Sequence, residues 1–418
     1  MIIPDTYFIT ALLNIRKEDI EECSVFCREE SICCRLTLKG RERDCPYCGG
    51  RLEGHGYGRE KPVTHPTLSD RKSVILFKPR RYLCKNCRKT ITQENPFTYR
   101  RFRSSYELLN SVMMKLGNLS YTLKTISEEL HISQTQINTY LDSYITITKR
   151  PLPECLGIDE IYSPELSHKG SAYLCVLVDN EKRCLYDVPG SRSKHYLDNQ
   201  FRKYPKEERD KVKYVTIDMW EPYKDLVHKH FKNASVAVDP FHVVEHLCRD
   251  FAKIRIRIMN QTVYGSNACY LLKKWHWLLE KDDVYLDNEP QYNSRFFNKE
   301  MSYEEAKANY DALLKEFEEA DIKEYREFVS ILKKWKEEIL NSFLRPYENR
   351  KLSNAFCENI NGKIRAYIVI SRGIANFERF RKRVLFALNP EIFYSLTSVL
   401  SSLKLPGKKR SSYRKTGE

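Results

Sequence analysis

Three acids stand where an apolar run stops. "ECLGIDEIY" carries Asp159, "KVKYVTIDMWEPY" carries Asp218 and "ASVAVDPFH" carries Asp239. A carboxylate at the end of a buried strand is costly unless something compensates it. Two carboxylates held close repel each other, and a cation between them removes the repulsion. Mg²⁺ takes oxygen ligands, typically one or two carboxylates together with substrate phosphates. Asp159 and Asp218 are therefore read as a metal clamp for phosphoryl chemistry. Asp239, just before a Pro that can open a helix, is read first as that helix's cap. A third ligand should come from a helix packed across the same end. "LSNAFCENINGKIRAYIVI" (352–370) supplies one and offers Glu358, although a lone Glu on a helix is ordinarily a solvated surface residue. Ser353 or Asn354 can cap this helix, and Phe356, Ile360, Ile364 and Tyr367 mark its buried stripe. His242 is read first as a buried helix histidine, with orientation of water or contact with phosphate as the other role.

A second set of residues is equally specific. "CPYC" (45–48) and "CKNC" (84–87) form two C-x₂-C pairs separated by 35 residues. Four thiolates suit tetrahedral Zn²⁺ and leave no open position for catalysis, so Cys45, Cys48, Cys84 and Cys87 are expected to hold a structural zinc. Gly49 and Gly50 follow the first pair as a tight knuckle requires. "SVILFKPRRYLC" alternates like one strand feeding the second knuckle, which makes a zinc ribbon with a long spacer. Cys23, Cys27, Cys33 and Cys34 are read as small buried apolar residues instead.

Positioning the acids requires a sheet. "CLGIDEIY" reads as a strand, and "SAYLCVLVDNEKRCLYDVPG" as two strands joined by a polar turn. "SKHYLDNQFRKY" is a short helix, "VKYVTIDM" a strand, "EPYKDLVHKHF" a helix, "ASVAVD" a strand and "FHVVEHLCRDFAKIRIRIM" a helix. Three antiparallel strands followed by right-handed crossovers onto the same sheet give the chain order of a ribonuclease-H-like α/β fold. In that order the first and fourth strands lie side by side and parallel, so Asp159 and Asp218 meet at one end.

The net charge of +15 is concentrated in two blocks. Residues 35–103 carry 18 Lys+Arg against 6 Asp+Glu, and residues 351–418 carry 14 against 4. Such blocks beside folded modules point to a polyanionic partner, and nucleic acid is expected. "SYTLKTISEELHISQTQINTYLDSY" (120–144) has two helical patterns broken at "HIS". Ser133 can cap the second helix, whose face offers Gln134, Gln136 and Asn138 to base edges. An ordinary helical pair fits this stretch equally well; the ribbon and the basic "YRRFR" (99–103) favour a helix-turn-helix on DNA. Gly362 is unfavourable within a helix, and close approach of DNA or of another backbone would account for it. No apolar stretch is long enough to span a bilayer, and the N-terminal residues do not read as a secretory signal, so a cytoplasmic protein is expected.

As a set, "GIDE", "TIDMWEPY", "AVDPFHVVEHL", "SNAFCENINGKIR" and "GIANFERFRKRVLF", with the Cys knuckles and helices before them, resemble a bacterial insertion-sequence transposase of the ISL-three family. The resemblance covers nearly the whole chain. "MWEPY" departs from it, because the family more often has a small residue before the Pro. The resemblance implies that Asp159, Asp218 and Glu358 are the Asp, Asp and Glu ligands of Mg (or Mn). It also implies two-metal cleavage and strand transfer at terminal inverted repeats into target DNA, by a homodimer on paired ends in a nucleoid-associated setting. Arg365, Arg372, Arg379, Arg381, Lys382 and Arg383 are candidate phosphate contacts.

The expected organisation is an N-terminal segment 1–40, a ribbon 41–95, a helix-turn-helix region 96–150 and a catalytic domain in two parts, 151–262 and 346–398. A helical insertion (263–345) lies between those parts, and a basic disordered tail (399–418) follows them. Trp275, Trp277 and Trp335 are read as core. Two alternatives stay open on sequence alone. One is a zinc-containing DNA-binding regulator without catalysis, and the other is a nuclease for RNA or RNA–DNA hybrids.

Overall fold

The computed structural model describes all residues except 1–5, 41–43, 99–102, 168–170, 275–300, 348–349, 372–373, 375 and 395–418. Trp275, Trp277, Arg372 and the basic tail therefore lie outside the described residues. The chain divides into two compact units. One comprises 1–147, 382–387 and 391–418; the other comprises 148–381 and 388–390.

The first unit holds two sheets. Strands β1 (Ile20–Arg28), β2 (Ser31–Leu38), β4 (Lys61–Leu68) and β5 (Arg71–Phe77) form one, in the order β1-β2-β5-β4. Strands β3 (Leu52–Tyr57), β6 (Arg80–Cys84) and β7 (Thr90–Thr92) form the other, in the order β3-β6-β7. The stretch expected to be one strand is thus two strands in different sheets. It breaks at Lys78–Pro79, where Pro cannot donate to a ladder. The long spacer between the Cys pairs contains the β4–β5 hairpin, which packs on residues 9–38 through Ile9, Leu36, Val63, Ile75 and Phe77. Cys33 and Cys34 are buried in that first sheet, Cys23 is half-buried and Cys27 is exposed.

Three helices follow. Tyr106–Leu116 is capped by Ser105, and Leu123–Leu130 is capped by Thr122. The latter ends at His131, whose left-handed backbone (φ 49°) turns the chain. Ser133 then caps Gln134–Tyr144, accepting from Gln136 N at 3.2 Å. The break at "HIS" is therefore a tight turn between two capped helices.

The second unit is built on a five-stranded mixed sheet. Its strands are β8 (Cys155–Tyr162), β9 (Tyr173–Asp179), β10 (Cys184–Asp187), β11 (Tyr214–Ile217) and β12 (Ser235–Val238). The order is β10-β9-β8-β11-β12. β8 pairs antiparallel with β9 and parallel with β11, and β11 pairs parallel with β12. The first and fourth strands of this unit are neighbours, as their order in the chain predicts. Both faces are covered, so β8 and β11 read as continuous apolar runs. The helices Tyr303–Glu319, Arg326–Lys334 and Lys336–Asn341 share this core through Tyr310, Phe328, Leu332, Trp335 and Ile339. Asn341 Nδ2 donates to Val236 O at 2.8 Å, tying the last of them to β12.

Gly157 sets how closely the helix Ala355–Ser371 approaches β8. A Cβ there would lie 2.6 Å from Val178 Cγ2 and 2.7 Å from Cys357 Sγ. Gly157→Ala is expected to lower stability by about 1–3 kcal/mol through overpacking. It should also lift the helix that carries Glu358, so that activity falls further than the drop in melting temperature accounts for. Paired thermal melts and activity measurements on the full chain check this.

Candidate active site

Asp159 lies in β8 and Asp218 directly follows β11, so the parallel pairing of these strands brings them to the same rim. Asp159 is 6% exposed. Burial, and next the charge of Asp218, push its carboxyl up to about 7. Its Oδ1 accepts from Glu160 N at 2.6 Å and its Oδ2 from Asn361 Nδ2 at 2.8 Å. Asp218 is about a quarter exposed and pairs with His242 Nε2 at 3.0 Å. That contact, against the opposing effect of burial, raises His242 to about 9. His242 is therefore a partly exposed cation facing an acid, not the buried helix histidine that the sequence suggests.

Asp239 caps the helix Pro240–Gln261, accepting from Phe241 N at 2.8 Å, as its position before Pro predicts. Its other oxygen accepts from Asn354 N at 2.6 Å. The side chain of Asn354 turns into the rim. Its Nδ2 donates to Asp218 Oδ1 and Ile158 O, both at 3.3 Å, and its Oδ1 accepts from Thr216 Oγ1 at 3.0 Å. The cap of the helix Ala355–Ser371 falls to Ser353, whose Oγ accepts from Ala355 N at 3.0 Å.

Glu358 lies in the first turn of that helix and is exposed. Burial, then the charge of Asp239 and, more weakly, that of Asp218, hold its carboxyl above the usual range, while His242 opposes them. Glu358 thus shares the field of the rim. Its ligand atoms do not fall with those of Asp159 and Asp218 into a set within 4.8 Å of one another; among the described residues only the four Cys do so. The donors fit a hard divalent cation: carboxylate oxygens at one rim, with Asp159 oriented by a neutral amide.

A pH dependence follows. Asp159 titrates at 3.8 when unfolded and near 7 when folded, so stability from this group is lost as pH rises through that window. His242 is raised from 6.5 to about 9, so its contribution is present below 6.5 and lost as pH rises through 9. Both slopes have the same sign. The metal-free protein is expected to melt several degrees lower at pH 8.5 than at pH 5.5, with excess MgCl₂ restoring more stability at the higher pH. Melting curves with and without Mg²⁺ test this; a Mg²⁺ shift that is the same at both pH values would contradict it.

In the first unit, Cys45, Cys48, Cys84 and Cys87 bring their sulfurs within 4.8 Å of one another. Cys45 and Cys87 are 3.6 Å apart, and Cys48 and Cys84 are 3.5 Å apart. Sulfurs about 2.3 Å from one tetrahedral zinc would stand roughly 3.8 Å from each other, so the set is compatible with Zn²⁺. Gly49 takes φ +70° in the first knuckle and donates to Cys45 O at 2.8 Å.

The other candidates are placed unevenly. Gln134 is exposed, and Asn138 is half-buried. Gln136 Nε2 is engaged with Ser104 Oγ and Tyr140 OH, both at 2.7 Å. Arg365 is exposed. Arg381 pairs with Asp187 at 2.7 Å, and Lys382 donates to Asp142 O at 3.3 Å. Arg383 is 1% exposed and donates to the carbonyls of Asn118 and Tyr121. A Cβ at Gly362 would meet nothing within 4 Å, so among the described residues no other backbone explains that glycine. Among the described residues no helix is long and apolar enough to cross a membrane.

Comparison with known proteins takes this acid-rimmed α/β unit further. Residues 156–384, more than half of the chain, match the family model of ISL3-type DDE transposases, described as "Transposase", and the chain belongs to that family. The transposase for insertion sequence element IS1001 of Bordetella parapertussis is 23% identical over 248 residues. That alignment covers 59% of this chain and 60% of the relative. The family resemblance drawn from the motifs therefore holds.

Proposed function

We propose that this transposase cuts and rejoins DNA at the terminal inverted repeats of an insertion sequence, and that its second unit has a ribonuclease-H-like fold. The observation that carries the reading is the meeting of Asp159 and Asp218 on adjacent parallel strands, beneath the helix that bears Glu358 and inside the family match. Asp159, Asp218 and Glu358 are the residues that would hold the cations. Divalent cations held there would activate the attacking water or a DNA 3′-hydroxyl and stabilise the leaving oxygen. Asn354 donates to Asp218 and His242 pairs with it; a bound cation would supply the same charge compensation.

The chain's basic blocks offer phosphate contacts, with Arg365 the most accessible of the described candidates. Gln134 leads the base-reading face, because Gln136 must first leave Ser104 and Tyr140. A homodimer joins the two ends, and the setting is the cytoplasm.

The test is incubation of the full chain with labelled terminal-repeat DNA, with Mg²⁺ or with a chelator. Mg²⁺-dependent ends bearing 3′-hydroxyls are expected. DNA bound but left uncut in Mg²⁺ and in Mn²⁺ would make the protein a DNA-binding regulator.

A further inference from the structure

The helix Ala355–Ser371 buries Cys357, Ile360, Ile364 and Tyr367, and among them an amide, Asn361, which is 1% exposed. A polar side chain on a buried stripe is unfavourable unless both ends of it are used. One end is. Nδ2 donates to Asp159 Oδ2 at 2.8 Å and leans toward Glu160 O at 3.4 Å. An ionised carboxylate and a carbonyl can only accept, so the amide keeps this orientation when Asp159 is charged, the form that binds a cation. The other end, Oδ1, is buried and has no partner among the described protein atoms.

Asn354 provides the contrast on the same rim. Its Nδ2 donates to Asp218 and Ile158 O while its Oδ1 accepts from Thr216, so its side chain is fully used within the protein. The oxygen of Asn361 is an acceptor without a donor, held one amide's width from Asp159. The missing donor must be small, must carry a hydrogen and must belong beside a carboxylate. A water of a hydrated divalent cation meets all three requirements.

We propose that Asn361 is a positioning residue of the acidic rim. Its Nδ2 locks the rotamer of Asp159, and its Oδ1 accepts a hydrogen bond from a water on the cation that Asp159 binds. This rests on the reading of the rim as a cation site. No bond is made or broken by Asn361.

The experiment titrates the full chain with Mn²⁺ alone, reading free Mn²⁺ by electron paramagnetic resonance. Wild type is compared with Asn361→Leu, which keeps the volume and removes both ends. Asn361→Leu is expected to bind Mn²⁺ at least tenfold more weakly, as loss of an outer-shell partner does. The same substitution takes the donor from the buried Asp159 Oδ2, so its metal-free melting temperature is expected to fall modestly and the deciding readout is Mn²⁺ affinity. A purely structural amide would also lower the melting temperature but would leave Mn²⁺ affinity within twofold of wild type. That result overturns the proposal while leaving the cation site intact. Wild type that takes up no Mn²⁺ overturns the cation site itself, and Asn361 with it. If Asn361→Leu does not fold, Asn361→Ser gives the same comparison, and equal Mn²⁺ affinity there is likewise fatal.

Discussion

Glu358→Gln is expected to abolish strand cleavage while sparing the fold and DNA binding. The substitution keeps size and helix propensity and exchanges a charged oxygen donor for a neutral amide. Glu358 is exposed, so stability should move by no more than about 0.5 kcal/mol. The direction should even be favourable without metal, since burial and Asp239 already penalise its charge. Charge stabilisation by a catalytic cation is worth several kcal/mol of the barrier, and each 1.36 kcal/mol is tenfold. Cleavage of labelled repeat DNA should therefore fall by about 10³-fold, with affinity for the uncut DNA unchanged. Activity within tenfold of wild type would return Glu358 to the role of a solvated surface acid. The comparison is informative because Glu358 is the most exposed of the three acids.

Much of this site was legible in the order of the strands. β8 and β11 are short and apolar, with Asp159 inside the first and Asp218 just after the second, and right-handed crossovers leave few ways to arrange them. Asp159 and Asp218 could be paired before any coordinate was known. The amides around them could not. Asn361 is 202 residues from Asp159, and Asn354 is 136 from Asp218. No local pattern announces such contacts. One signal was available: Asn361 stands four residues after Cys357 and three before Ile364, on the buried stripe, where the sequence reading placed Phe356 instead. The basic candidates misled for the opposite reason. A charged residue reads as a surface group, yet Arg383 is sealed against the carbonyls of Asn118 and Tyr121, where guanidinium donors satisfy helix and turn ends. Gln136 likewise looks like a base reader on a helical wheel and is spent on Ser104 and Tyr140. Tyr140 is one turn on from Gln136 and within reach of a helical wheel, but Ser104 and the carbonyls that hold Arg383 lie far along the chain, and periodicity carries no information about them.

Removing zinc is expected to unfold one sheet of the first unit and leave its neighbour standing. The burial of each sheet says why. In the β1-β2-β5-β4 sheet, Leu36, Val63, Ile75 and Phe77 are each at most 1% exposed, so a hydrophobic core holds it. In the β3-β6-β7 sheet, β3 is exposed beyond Leu52, β7 contributes only a half-buried Ile91, and the buried residues at the knuckles are Cys45 and Cys84 themselves. That sheet has almost no apolar area to offset the entropy of ordering it. Structural zinc contributes on the order of 10 kcal/mol or more in small Cys-rich folds, which is ample to supply the difference. Backbone hydrogen bonds, that of Cys87 first, already hold the Cys84 thiol down at about 7, so it is poised to ligate as thiolate near neutral pH. Treatment with a strong chelator, or Cys84→Ser, should lower amide-exchange protection of residues 52–57 and 80–92 by at least about a thousandfold. Residues 31–38 and 71–77 should keep theirs. Equal protection of both sheets after chelation would mean that the four sulfurs cluster for packing alone. Loss from both sheets together would mean that the β4–β5 hairpin, which leaves the ribbon and returns to it, transmits the metal's contribution to the apolar core as well.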